Sequence, residues 1–330
     1  MIFVGKVPYR ISLLGGASDL NWFVKEKQYG HCLGYPLKKF SYTIINKLPC
    51  DSQKGILDYS VREIYSSIDD IVHPIIREVL KEFHLNSYIE LKSIGFANSG
   101  SGLGGSSSFL LSLIAALSKA FDINLSHSEI IEKSCTIEIN NLSKPIGKQD
   151  QFLCANGGIN SFKFNSDDSV NRNNLSSIKK ETISRLIKDF YLIPTNQNRN
   201  SSKVLNSIKN DHSSINKILE IRKIAENFIN DKEEREYKIE EKFHASMRES
   251  WIVKKTLSNV MSDYLQDQFR EINLLIPNNW IRLIGAGLGG YFLVSSKISY
   301  EEILKITNQN SIKGIFKAEI SEEGLSCVCL

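Results

Sequence analysis

The chain is poor in the residues that staple or stiffen small scaffolds, with 6 cysteines, 7 prolines, 3 tryptophans and 3 methionines among 330 residues. No two cysteines form a CxxC pair, and most of Cys32, Cys50, Cys135, Cys154, Cys327 and Cys329 fall in apolar segments, where a free thiol behaves as a small hydrophobe. A disulfide framework is not expected, and the usage fits a reducing compartment. Cys327 and Cys329 flank Val328 in a predicted last strand, which reads as strand alternation before it reads as a metal pair. The longest apolar run, around Phe109 to Leu117, is far short of a membrane span. The start, Met1-Ile2-Phe3-Val4-Gly5-Lys6, lacks the long apolar core of a signal peptide, so a cytoplasmic protein with no membrane partner is expected. An excess of charge of one sign is also missing: 41 Lys+Arg oppose 37 Asp+Glu, and +4 spread along the chain is too little to point to nucleic acid. It would suit an anionic small substrate. What remains is ordinary globular material, 42% hydrophobic and 24% charged with mean hydropathy -0.19, long enough for one large or two medium domains.

Short β-type runs come first: Ile2 to Val4, Arg10 to Leu14, then Phe40 to Ile45. Asp69 to Leu80 has helical apolar spacing, with Pro74 expected in a first turn. Tyr88 to Ser93 reads as strand and runs into the stretch Ser99 to Ser108, which opens a Leu- and Ala-rich helix from Phe109 to Phe121. Ser126-x-x-Glu129 is a capping box for a helix that delivers Glu138 near its end. Residues 144–151 are expected as loop, Ile159 to Phe164 as strand, and Asn165 to Asn174 as an exposed connection. Strand Asp189 to Pro194 opens a second half dominated by charged helical sequence from Ser213 to Leu275. Strands Trp280 to Ile284 and Tyr291 to Ser295 follow, then a helix from Ser299 and strands near Phe316 to Ile320 and Ser326 to Leu330. The composition shift places a boundary near residue 185, giving domains 1–185 and 186–330.

Four segments could carry chemistry. Gly100 to Leu117 is a glycine-dense turn leading into a hydroxyl-rich helix start, where backbone N–H groups and the helix dipole favour a polyanion; the bland alternative is a surface loop with a serine N-cap. The sequence has no GxxxxGK[ST], which excludes a Walker-type loop. Gly285-Ala286-Gly287-Leu288-Gly289-Gly290 matches GxGxxG but precedes a strand rather than a helix, against a dinucleotide fold; it reads equally as a close-approach loop or a plain hairpin turn. Glu138 and Asp150 could divide the metal and proton work of phosphoryl transfer, with Lys148 beside Asp150, or could be two solvated acids. Asp19, after Gly15-Gly16, could accept from vicinal sugar hydroxyls or be ordinary turn chemistry.

Taken in order, RISLLGGASDL, SGSGLGGSSS, IEINNLSKPIGKQDQFLCANGGIN and LIGAGLGGYFLV resemble the GHMP kinase family, small-molecule kinases acting on galactose, homoserine, mevalonate and phosphomevalonate. The likeness covers essentially the whole chain. It looks strongest to the heptose 7-phosphate kinase branch, which YSVREIYSSIDDIVHPIIREVL also fits through His73-Pro74 and Arg77. The resemblance implies an α+β, two-domain GHMP-kinase-like fold: a mixed β-sheet N-terminal domain that binds ATP, and a ferredoxin-like C-terminal domain. It implies ATP and Mg²⁺ as cofactors, a sugar phosphate as small-molecule partner, and a monomer or homodimer. The expected reaction is phosphorylation of the anomeric hydroxyl of D-glycero-D-manno-heptose 7-phosphate, feeding surface polysaccharide. The alternatives are another sugar of galactose, fucose or mannose type, or a silent sugar- or nucleotide-binding regulator. Carried onto this chain, Asp150 is the expected catalytic aspartate; Lys148 is expected to hold it ionised or to meet an anion. Ser106 or Ser107, with Glu138, would form the Mg²⁺ side. Gly100, Gly102, Gly104, Gly105, Ser106, Ser107 and Ser108 hold ATP phosphates, and Arg10, Gly16, Asp19, Gly287 and Gly289 bind substrate. The pattern departs from the family at Gly105, where a serine is usual, at Ala97-Asn98, which stand in a proline region, at Leu288, and at PTNQNRNSSKVL, which keeps Arg199 and Ser201 or Ser202 but lacks Thr-Gly.

Overall fold

The computed structural model describes residues 1–85, 88–97, 100–197, 201–310 and 312–330, so Arg199 and Asn98 lie outside the described residues. Strand β1 (Ile2–Leu14) is one continuous element rather than two runs divided by a turn. Gly5 is there for close approach: a Cβ on it would lie 2.0 Å from the Ser112 carbonyl oxygen of the helix packed behind. Pro8 is accommodated by a register shift between Pro8 and Tyr9. Helix α1 (Asn21–Lys27) and the long strand β2 (Tyr29–Lys47) follow, then the hairpin β3 (Gly55–Asp58) and β4 (Arg62–Tyr65).

The helix expected from Asp69 is split. A 3₁₀ turn covers Ile68–Asp70, and α2 (Pro74–Glu82) starts at the proline, with His73 as N-cap accepting from the Ile76 N–H. The residue before a proline avoids the helical region, which explains the interruption. Strand β5 (Ile89–Gly95) leads to α3 (Gly105–Ala120), which begins four residues before the expected start and takes the serines into its first turn. Helix α4 (His127–Cys135) has the full capping box and continues as a π-helical turn, Thr136–Asn141, that carries Glu138. The stretch expected as loop ends in a short helix, α5 (Gln149–Ala155), so Asp150 sits in a helix's first turn. The polar tract after β6 (Asn160–Asn165) contains a further strand, β7 (Val170–Arg172), paired back onto β6.

After α6 (Ser177–Ile187) and β8 (Phe190–Pro194) come α7 (Ser201–Asn210), α8 (Ser214–Asn230), α9 (Glu236–Lys254) and α10 (Asp263–Leu275). Strands β9 (Trp280–Leu283) and β10 (Tyr291–Ser295), helix α11 (Tyr300–Gln309), and strands β11 (Phe316–Lys317) and β12 (Ser326–Cys329) complete the chain.

Two sheets organise these elements. The first has the order β12-β1-β2-β5-β3-β4, with β6 and β7 extending from β2; it is antiparallel except where β3 pairs with β5. The second is wholly antiparallel in the order β11-β8-β10-β9. Counted within its own half, that order is 4-1-3-2 with helices between, the ferredoxin-like arrangement. The fold is therefore α+β with a mixed sheet and a separate antiparallel sheet. One apolar core, around Leu91, Leu110, Ile114 and Ile137, lies under the first sheet, and another, around Ile193, Phe292, Trp251 and Leu265, packs the second sheet against its helices. Tyr9, Leu13, Phe190 and Leu293 belong to a third cluster that joins the halves. Among the described residues, no helix is long and apolar enough to cross a membrane. All six cysteines are free; Cys32 and Cys154 are fully buried, and burial pushes both thiols well above their usual range.

Candidate active site

A cleft enclosing about 400 Å³ opens where the halves meet, lined by Arg10, Asp19, the turn around Gly100 to Ser107, Glu138, Lys144, Gln149, Asp150, Lys254 and Gly285. Segments far apart in sequence converge here because β1 ends at it, α3 and α5 start at it, and the glycine loop between β9 and β10 faces it.

Arg10 is the organising cation. It is 5% exposed, and its guanidinium donates to both Asp150 oxygens, Nε to Oδ1 at 2.8 Å and Nη2 to Oδ2 at 2.5 Å. Its third donor, Nη1, reaches the Gly102 carbonyl at 2.5 Å. Burial works against the arginine's charge, and Asp150 more than offsets it, so the guanidinium titrates above its usual range. The fork fixes the plane of the Asp150 carboxylate and ties the glycine turn to it. Three of its five N–H groups are thus given to Asp150 and the turn, and the side chain lines the cleft.

Gly104 is in the left-handed region, φ 75°, and caps α3 with no side chain. A Cβ on Gly105 would lie 3.0 Å from Cε1 of the Tyr9 ring, a tight contact that the glycine avoids. The serines that follow have separate fates. Ser106, exposed, and Ser107, buried, donate to Glu138 Oε1 and Oε2, each at 2.6 Å. Ser108 does not face the cleft: its hydroxyl donates to the Val7 and Pro8 carbonyls of β1, because the third residue of the turn points into the sheet.

Glu138 is 1% exposed and accepts four donors: the two serines, Lys144 Nζ at 2.7 Å and Gln151 Nε2 at 2.7 Å. Lys144 also donates to Ser106 at 2.8 Å, so a cationic ammonium already bridges the Ser106 and Glu138 oxygens. That position is built from hard oxygen donors around a positive charge, which fits a divalent cation such as Mg²⁺. Among the described residues, no cluster of three or more His, Cys, Asp or Glu could hold a metal unaided, so phosphate oxygens would have to complete the shell.

Lys148 is not beside Asp150. Its ammonium pairs with Asp168, to the carbonyl at 2.9 Å and the carboxylate at 3.0 Å, because the first turn of α5 carries Asp150 inward and leaves Lys148 on the outside. Asp19, 2% exposed, accepts from Gln149 twice, from the backbone N–H at 3.1 Å and the side-chain Nε2 at 2.9 Å. Burial, opposed by that backbone N–H and reinforced by the nearby Asp150 charge, pushes its carboxyl up to about 7. Gly16 lines the cleft beside Asp19. Gly287 and Gly289 do not line it: positions for a Cβ on them lie 2.7 Å from Val260 Cα and 2.6 Å from the Gln197 carbonyl oxygen, so this loop is pressed against α10's lead-in and the segment after β8. Gly285 and Ala286 reach the cleft in their place. Leu288, φ 54°, packs in the apolar core of the second half.

Lys144, Gln149 and Lys254 join the site without having stood out in the sequence. Gln149 lies inside a quoted motif and Lys144 only six positions past Glu138, but nothing distinguishes Lys254 within its charged helix, where it is buried and donates to the Gly285 carbonyl at 2.7 Å.

Residues 70–158, which hold the glycine turn, Glu138 and Asp150, match the family model of the GHMP kinases N terminal domain. The chain carries a GHMP kinase N-terminal domain. A GHMP kinase relative, D-glycero-alpha-D-manno-heptose 7-phosphate kinase of Campylobacter jejuni, is 26% identical over 299 residues, covering 87% of each chain. In three dimensions the chain is similar to a D-glycero-D-manno-heptose 1-phosphate kinase from Bacteriodes thetaiotaomicron, with TM-score 0.76, 19% identity and 99% of each chain covered. It is also similar to Lactococcus lactis galactokinase complexed with galactose, with TM-score 0.70, 14% identity and 98% and 95% of the two chains covered. These solved structures share the GHMP kinase fold described above.

Proposed function

We propose that the chain is an ATP- and Mg²⁺-dependent sugar kinase that phosphorylates the anomeric hydroxyl of D-glycero-D-manno-heptose 7-phosphate. The observation that carries this reading is the convergence, in one cleft, of the Arg10-held Asp150 with a glycine turn at a helix start and with the Ser106–Glu138–Lys144 cluster. The likeness to the heptose 7-phosphate kinase supports the choice of sugar.

The backbone of Gly100, Gly102, Gly104 and Gly105, with the α3 N-terminus and the Ser106 and Ser107 hydroxyls, would hold the ATP phosphates. Ser106 and Glu138 would hold Mg²⁺, which, when bound, neutralises charge on the phosphates. Lys144, released from part of its pairing, would share that task. Asp150 would orient the sugar hydroxyl and take its proton as the hydroxyl oxygen bonds to the γ-phosphorus and the bond to the bridging oxygen of ADP breaks. Arg10 acts through Asp150 and Gly102, and positioning supplies much of the rate. Asp19 and Gly16 would meet the sugar. In this reading, residues 1–185 form the ATP-binding part and 186–330 the second part, with β12 returning to the first sheet.

The test is ATP consumption with Mg²⁺ against heptose 7-phosphate, galactose, fucose and mannose in parallel. Turnover confined to the heptose phosphate and lost in Asp150→Asn is expected. Turnover only on a plain sugar would replace the substrate, and nucleotide binding without turnover would identify a regulator.

A further inference from the structure

Asp19 is the most deeply placed acid on the sugar side of the cleft, and one residue supplies both of the hydrogen bonds it receives from elsewhere in the chain. Gln149 donates its backbone N–H to Oδ2 and its side-chain amide to Oδ1. The chain wraps closely around this contact: a Cβ on Gly147 would lie 2.1 Å from Asp19 Oδ2, and Leu20 bridges to Gly147. Gln149 also immediately precedes Asp150, in the first turn of α5. The same turn therefore carries the acid next to the reacting hydroxyl and the amide that holds the acid on the sugar.

The arrangement has a cost. The Gln149 Oε1 atom is buried and meets no donor from the protein, so the amide is oriented by what its Nε2 reaches. Turning the amide over would give Oε1 a place near Asp19 only if the carboxyl carried a proton; as it stands, the donor faces the acid.

We infer that Gln149 is a positioning residue that presents Asp19 to the cleft as an acceptor-only carboxylate, so that binding of a polyhydroxylated substrate depends on the α5 turn that also sets Asp150. This rests on the reading that Asp19 meets the sugar. The charged and titratable groups that face Asp19 are Arg10, Asp150 and the Cys32 thiol, and none of them donates to it as Gln149 does.

The test compares wild type with Gln149→Met, which keeps the length and removes the donor, in steady-state kinetics on D-glycero-D-manno-heptose 7-phosphate from pH 6 to 9. KM for the sugar should rise about tenfold, the worth of one hydrogen bond to a charged group, while KM for ATP stays within about twofold. The acid limb of kcat/KM should move to higher pH, because the ionised Asp19 loses a donor and its proton is held more tightly. A general structural defect would lower activity at every pH without moving the limb. If Gln149→Met does not fold, Gln149→Glu is nearly isosteric and should move the limb in the same direction by placing a second carboxyl beside Asp19. An unmoved limb with an unchanged sugar KM in a variant that turns over would overturn the inference alone. Absence of turnover by wild type on every sugar tried would overturn the sugar-kinase reading and this inference with it.

Discussion

Removing Arg10 should expose how the Asp150 carboxylate is held. Arg10→Met deletes two charge-assisted donors to Asp150 and one to Gly102 while keeping a long apolar stem in a site where the arginine side chain is 6% exposed. Breaking a buried pair from either side costs about 3–5 kcal/mol, because the survivor is left uncompensated. Asp150→Asn strands the buried guanidinium; Arg10→Met strands a carboxylate that is 26% exposed and recovers some hydration, so its cost belongs at the lower end. If the two side chains act as one unit, the double variant loses less than the sum of the singles, with a coupling of about 2–4 kcal/mol from two charge-assisted bonds worth about 1.5–3 kcal/mol each less the part returned by water. Urea unfolding of the four proteins measures this directly. The same variants separate the third bond: Arg10→Met loosens the glycine turn and should weaken ATP binding measured by calorimetry, whereas Asp150→Asn should not. Single-variant costs that add within about 0.5 kcal/mol would refute the unit.

Lys148→Ala should leave kcat within about twofold and stability within about 0.5 kcal/mol, since its partner Asp168 is exposed and such pairs contribute little; a large loss of kcat in the coupled ATP assay would return Lys148 to the site. Ser106→Ala should raise KM for ATP with little change in stability. Ser108→Ala, which leaves the hydroxyl's bonds to β1 unmade, should lower the melting temperature and spare KM for ATP. Asp19→Asn should melt higher than wild type at pH 8 while losing sugar affinity. The folded-state carboxyl titrates near 7, above its unfolded value, so it costs stability progressively as pH rises from about 4 towards 7. The gap in melting temperature should therefore shrink to nothing near pH 4, and a gap that persists there would contradict the assignment.

The residues alone speak most clearly where one local rule acts by itself. The Ser126–Glu129 capping box, the strand-loop-strand around Gly285 to Gly290 and the glycine turn before α3 follow from turn chemistry and periodicity, and each is present. Sequence and fold part where long-range packing overrides the local rule. The residues between Val4 and Arg10 lie outside the predicted runs, yet the Ser112 carbonyl of α3 packs against Gly5 and β1 continues through them. The site shows the same division. Asp19, Glu138 and Asp150 stand in motifs that mark them out. Lys144 folds back onto Glu138 while Lys148 turns to Asp168, a difference that spacing to Asp150 does not reveal. Gly287 and Gly289 press against backbone at Val260 and Gln197, and this crowding is enough to call for glycine at both positions.

The pairing of β12 with β1 gives the protein an order of assembly that differs from its order of synthesis. β1 is synthesised before the second sheet, yet the Phe3-to-Lys6 part of one of its edges pairs with Ser326–Cys329, which emerge after that sheet. Until then, the Phe3-to-Lys6 edge presents unpaired backbone groups to any passing strand. Completion of the first sheet thus waits on β12. A nascent chain stalled before β12 would be aggregation-prone, and deletion of Ser326–Cys329 would do its damage at β1.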